Sequence, residues 1–367
     1  MSAGFRPALW PEHAGNCGRS TMILPRNAQI WLPGYLRSAW QNRLRSDSEA
    51  KTVWITITDH FEPYWKNTDE EVARQRVALW VNKWPEITSR HADSQGVAPK
   101  YSFFYPEEEY RVSLLAALES IVHGGIGDIE VHLHHDHDTP GQFIDRTGRF
   151  LEVLHQRHGF LRKRNDQLKF GFIHGNWALD NSLPDGRWCG LNNELILLRE
   201  LGCYADFTLP SAPSPAQTRT VNSIYWAKDD PQQPKSHDTG IPVAVGGGVE
   251  GDLMLIQGPL AVRWTGNRNG LPRLENGELA GQNHPDQSRV KLWFEYAPRL
   301  GNHVFLKLFT HGTQEKNSSM LLGGGLDQLF KLIAGECERR GWRHRYTTAW
   351  EMYLVIDSLR RQAILPL

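Results

Sequence analysis

What the chain has little of narrows the field first. It contains no run of eighteen apolar residues, so no membrane-spanning helix is expected. Its four cysteines, Cys17, Cys189, Cys203 and Cys337, form no CxxC pair, which fits free thiols in a reducing compartment better than a disulfide framework. Basic and acidic residues balance, 41 against 41, leaving neither a basic nucleic-acid footprint nor an acidic tail, and no nucleic-acid partner is expected. The opening MSAGFRPALWPEHAGNCGRS lacks the apolar core of a secretory signal, so a cytoplasmic location is the expectation. Neither Gly246-Gly247-Gly248 nor Gly323-Gly324-Gly325 is followed by the Lys-Ser/Thr of a phosphate loop.

What is present is a repeated strand and helix pattern. Residues 51–58 (KTVWITIT) alternate Val53, Ile55 and Ile57 against Trp54, Thr56 and Thr58, as a strand does. Thr68 and Glu71 have capping-box spacing before a helix carrying Val72, Leu79 and Trp80. Strands are expected near 100–104, 128–134, 168–174, 203–209 and 303–310. Helices are expected over 110–122, 140–160, 191–201, 324–340 and 347–361, with Thr139-Pro140 as N-cap and first turn. Such alternation predicts a parallel α/β architecture, and the number of elements favours a barrel over an open sheet. Residues 1–50 read as an N-terminal extension and 51–367 as the barrel. Between about 211 and 302, Pro, Gly and Asn become frequent, with Asn-Gly steps at 269–270 and 276–277; a β-rich excursion is expected there. Residues 30–45 mix tryptophans, leucines and arginines. They predict a helix packed on the main domain, with an interfacial, membrane-peripheral helix as the alternative.

The chemistry concentrates at 132–138, His-Leu-His-His-Asp-His-Asp, directly after the strand pattern. Imidazole and carboxylate are the ligands that zinc and its first-row neighbours prefer. On a strand His132 and His134 share one face while Val131 and Leu133 take the other. Two more strand ends carry similar groups: ITITDHFEP places Asp59, His60 and Glu62, and FLKLFTHG places His311. A fourth, GFIHGNW, offers His174 and Trp177 as substrate-binding residues. Functional groups of parallel α/β folds gather at such strand ends. The fourteen tryptophans suit sugar stacking.

ITITDHFEP, EVHLHHDHD and LKLFTHG, in that order, resemble the three motifs of the polysaccharide deacetylases, carbohydrate esterase family four, over roughly residues 51–315. The resemblance implies a distorted (β/α)7 barrel and removal of acetyl groups from N-acetylated sugars. It also implies a divalent metal, with zinc the expected one, held by one Asp and two His. Carried over, it makes Asp59 the base, His311 the acid, and His60, His134 and Asp138 the metal ligands, with His132 and His137 in reserve. In the other register Asp59 is itself a ligand and Glu62 a candidate base. The strand parity places Thr58 and His60 inward, so Asp59 joins them only if the backbone turns at the strand end. Two rival readings remain: a glycoside hydrolase using Asp59 or Glu62 with Asp138, and a non-catalytic sugar- or metal-binding protein.

Overall fold

A computed structural model describes residues 24–44, 51–264 and 272–366. The first part of the chain runs α1 (Ala28–Leu44), β1 (Thr52–His60), α2 (Glu70–Thr88), β2 (Tyr101–Pro106), α3 (Val112–His123), β3 (Gly127–Leu133) and α4 (Pro140–Glu152). It continues through β4 (Arg162–Arg164), β5 (Gln167–His174), α5 (Glu194–Leu201), β6 (Cys203–Asp206), β7 (Ile224–Ala227), β8 (Ile241–Pro242) and β9 (Leu253–Ile256). Then come β10 (Ala261–Arg263), β11 (Arg273–Glu275), α6 (Gln287–Tyr296), β12 (Arg299–Leu300) and β13 (His303–Thr310). The chain ends with α7 (Glu315–Met320), α8 (Leu326–Arg340), β14 (Arg343–Tyr346) and α9 (Ala349–Arg360).

The central sheet has the order β12-β13-β1-β2-β3-β5-β6-β9-β7-β8. From β13 to β9 every neighbouring pair is parallel. Short strands β12, β7 and β8 add antiparallel edges. Lys307 reaches from β13 to donate to the carbonyls of Phe207 (2.5 Å) and Leu209 (2.8 Å), just beyond β6.

The alternation read in β1 decides its two faces. Val53, Ile55 and Ile57 pack with Trp80, Trp84, Leu114 and Leu118 of α2 and α3. Trp54 turns to the opposite face, among Phe104, Ile173, Phe207, Met254 and Phe305, where α9 covers it with Met352, Val355 and Ile356. Each such buried side chain contributes about 1.5–3 kcal/mol. Thr348 caps α9 through a reciprocal box with Glu351, and Thr139 does the same for α4 with Gln142. For α2 the cap is Asp69, whose carboxylate accepts from Val72 N at 2.9 Å, rather than Thr68. Either residue type can cap; the chain enters the helix one residue later than the Thr-x-x-Glu spacing suggests.

The 211–302 stretch holds short strands and also the helix α6, which its Pro- and Gly-rich surroundings concealed. Gly277 adopts φ +78° in the second Asn-Gly step; the first, at 269–270, lies outside the described residues. α1 packs on the body: Trp31 is buried with Val221 and Leu260, and Tyr35 stacks on Tyr296 of α6 at 5.2 Å. Among the described residues no helix is long and apolar enough to cross a membrane, and Cys189, Cys203 and Cys337 are free and buried.

Candidate metal centre

The parallel ladder delivers β1, β3, β5 and β13 with their C-terminal ends on one side, and two donor clusters form there. The first combines His60 at the end of β1 and Glu62 just after it, His132 and His134 of β3 and its extension, and His311 after β13. Donor atoms of Glu62, His132 and His134 lie within 4.8 Å of one another, as do those of His60, Glu62 and His311. Glu62 is common to both groups.

Hydrogen bonds fix how these rings present themselves. His132 Nδ1 lies 2.9 Å from the Ile173 carbonyl, which can only accept, so Nδ1 carries a proton and Nε2 is the nitrogen left to meet a cation. That Nε2 faces Glu62 Oε1 at 3.3 Å. His134 Nδ1 is held by the Glu108 carboxylate, and its Nε2 faces the same Glu62 oxygen at 3.7 Å. Lone pairs pointed at a carboxylate oxygen repel unless a proton or cation lies between them. Metal–ligand bonds of about 2.0–2.2 Å give tetrahedral edges of about 3.3–3.6 Å, close to these separations. Two His and one Glu, with each outer imidazole nitrogen engaged, also match the outer-shell arrangement of hydrolytic zinc sites. The donor set therefore fits a divalent cation.

His60 and His311 stack beside this group, ring centroids 4.6 Å apart. Burial pushes the His60 imidazole well below its usual range, and His311, His132 and Lys307 add to the push. Burial also lowers His311, against the pull of Glu62. His134 goes the other way, because the Glu108 bond and the nearby carboxylates outweigh its burial. Glu62 is lowered by its histidine neighbours despite burial. Trp177 stands 6.4 Å from both His60 and His311. Asn176 and Trp177 both take left-handed φ, +55° and +58°, a conformation costing about 1–3 kcal/mol per residue that swings the indole to the cluster. Gly175 is required beside it: a Cβ there would overlap the His134 ring. An open cleft of about 580 Å³ leads in past Tyr64, Asn67, Arg111, Glu108, Glu109 and His134.

Four of the residues singled out in the sequence stand elsewhere. Asp59 stays on the Ile57 side because β1 remains extended through His60. There it is fully buried, accepting from Gly312 N at 2.6 Å and from the Tyr101 hydroxyl at 2.9 Å. Desolvation raises its carboxyl to about 8. Asp138 turns toward Arg146 (3.2 Å) and His135 (3.5 Å). His174 is wholly buried below the cleft, within 3.5 Å of Glu194, out of reach of a substrate. The reserve His137 is exposed and pairs with Asp136.

His174 belongs to the second cluster. His135, His174, Cys189 and Glu194 place one donor atom each within 4.8 Å of one another, all buried, and this group could hold a metal ion. Sequence reasoning missed Glu108, Glu194 and Cys189. A Glu107-Glu108-Glu109 run directly after a strand was a usable signal for the first; the other two gave none.

No protein-family model matches the chain, and no curated protein matches it. The functional reading therefore rests on the site itself.

Proposed function

We propose that this protein is a metal-dependent hydrolase that removes acetyl groups from N-acetylated sugars, built on a distorted (β/α)7 barrel. The observation that carries the reading is the Glu62–His132–His134 group at the C-terminal strand ends, with paired neutral imidazoles beside it and an open cleft in front. The Lys307 bonds from β13 to the chain beyond β6 support closure of the sheet. Glu62, His132 and His134 would hold the cation, zinc by its donor set. When bound, such a cation supplies Lewis acidity, polarising a carbonyl oxygen and acidifying water.

The remaining work falls to side chains. Glu108 and the Ile173 carbonyl orient the two ligand rings. His60 and His311 are neutral near pH 7, so between them a ring nitrogen can accept a proton from attacking water and return one to the leaving amine. Asp59, turned away, positions the Gly312 turn that carries His311. Trp177, beside His60 and His311, would offer an indole face to a sugar ring, and the cleft has the size of a small-ligand site.

The test is acetate release from a panel of N-acetylated sugars, with and without chelation. Activity lost to chelator and restored by zinc is expected. His134→Ala should lose the metal, whereas His60→Ala and His311→Ala should keep it and slow turnover by about 10²–10⁴. Release that ignores chelators, or stoichiometric metal with no release from any acetylated sugar, refutes the proposal.

A further inference from the structure

The second cluster is not part of that machinery. We propose that His135 Nε2, His174 Nε2, Cys189 Sγ and the Glu194 carboxylate form a closed, four-ligand zinc site that is structural.

Geometry comes first. His135 Nε2 lies 3.2 Å from Glu194 Oε1, His174 Nε2 lies 3.5 Å from the same oxygen, and Cys189 Sγ lies 3.4 Å from Glu194 Oε2. Bonds of about 2.0–2.3 Å to nitrogen, oxygen and sulfur give tetrahedral edges of about 3.3–3.7 Å. The two nitrogen separations share Glu194 Oε1 and are near those edges; the sulfur meets the carboxylate's other oxygen at a similar separation, and one donor atom of each residue lies within 4.8 Å of the rest.

The outer partners agree. His174 Nδ1 lies 2.6 Å from the Gly175 carbonyl, so that nitrogen carries the proton. Its Nε2 is buried, has no hydrogen-bond partner, and points its lone pair into the cluster. His135 Nδ1 faces Asp138 Oδ2 at 3.5 Å, a carboxylate–histidine arrangement that recurs behind zinc ligands. Cys189 Sγ accepts from the backbone N–H groups of Asn181 (3.3 Å) and Leu191 (3.4 Å). Burial, with Glu194 beside it, keeps the sulfur a thiol in the absence of a cation; once a metal displaces the proton, the two N–H donors would stabilise the thiolate's charge.

Charge also closes. A dication with one thiolate, one carboxylate and two neutral imidazoles sums to zero, which is what a fully buried site requires. On binding, the Cys189 thiol gives its proton to solvent and the sulfur forms a bond to the metal. Mixed sulfur, nitrogen and oxygen donors in four-fold array select zinc among common divalent ions. Burial of all four residues leaves no open position for a substrate. The donors come from the extension of β3, the end of β5, the loop before α5, and the first turn of α5, so the ion would tie four separate segments together.

Cobalt(II) reports the thiolate directly. In full-length protein stripped of metal and reloaded with cobalt, a sulfur-to-metal charge-transfer band is expected in the near ultraviolet. It should vanish in Cys189→Ser and persist in His134→Ala, which loses one metal equivalent from the open site. X-ray absorption at the zinc edge of wild-type protein should show a sulfur shell at about 2.3 Å, independent of whether the serine variant folds. A cobalt-loaded wild type with no such band, a zinc spectrum without sulfur, or a band surviving Cys189→Ser overturns the proposal. The band present without acetate release anywhere would count against the hydrolase reading alone.

Discussion

Replacing Asp59 with asparagine separates positioning from proton transfer. In the folded protein the Asp59 carboxyl, raised to about 8 by desolvation, is protonated at pH 7. One oxygen accepts from Gly312 N and the other lies against the Tyr101 hydroxyl. An asparagine side chain keeps both contacts with one of them reversed: its carbonyl accepts from Gly312, and its amide donates to the tyrosine oxygen, whose hydroxyl in the wild type donates to Asp59. Stability near pH 4, where wild-type Asp59 is largely protonated folded or unfolded, should therefore change by less than about 1 kcal/mol, and turnover at pH 7 by less than about tenfold, whereas loss of a true general base costs about 10²–10⁴. The pH dependence carries a second signature. A folded-state pKa raised from 3.8 to about 8 gives stability that is fully present below pH 3.8 and lost as pH rises through 8. The slope is about 1.4 kcal/mol per pH unit inside that window. Asp59→Asn removes this slope, so the variant should gain on wild type steadily from pH 4 to pH 8. Urea unfolding at several pH values reads the stability, and acetate release reads turnover. A hundredfold loss of turnover with unchanged stability would refute the positioning role and return Asp59 to the chemistry; parallel pH–stability curves would refute its buried protonation.

Other perturbations have equally definite expectations. Gly175→Ala should push His134 off its Glu108 bond, cutting metal content at the open site by metal analysis while far-ultraviolet circular dichroism stays unchanged. Arg162 pairs with the fully buried Glu130 at 2.6 Å; Arg162→Ala strands that carboxylate and should cost about 3–5 kcal/mol by urea unfolding. Thr348→Ala removes the α9 capping box and should cost about 1 kcal/mol by the same measurement.

The sequence was most informative where periodicity was strict. β13 falls where its apolar run placed it, and β1 runs two residues past its expected end, keeping its parity through His60. That same parity already pointed His60 inward and Asp59 outward, and the motif resemblance argued against it; the backbone followed the parity. His132 and His134 were legible as a pair because a strand puts alternate residues on one face. Glu62 was visible only as a neighbour, since its place at the cluster depends on the turn after β1. Cys189 and Glu194 could not be read at all: they lie more than fifty positions from His135, and only the β3–β5 pairing with the α5 packing brings them to it. α6 was hidden for a simpler reason, a short helix in a stretch dominated by turn residues.

The pairing of β1 also imposes a timetable. Its long ladder runs from Thr52 with His303 to Asp59 with Thr310, and its first residues pair again with Arg343–Tyr346. Once made, this strand waits for partners about 250 residues downstream, which takes on the order of 10–50 s at ribosomal speed. Throughout that interval Val53, Ile55 and Ile57 sit on an unpaired edge, the kind of segment that seeds aggregation. Yield in the cell should depend on chaperones that shield nascent chains, and deletions that remove β14 should be punished far more than its distance from the cleft suggests. The strand that carries His60 is finished only after residues 303–346 have been made.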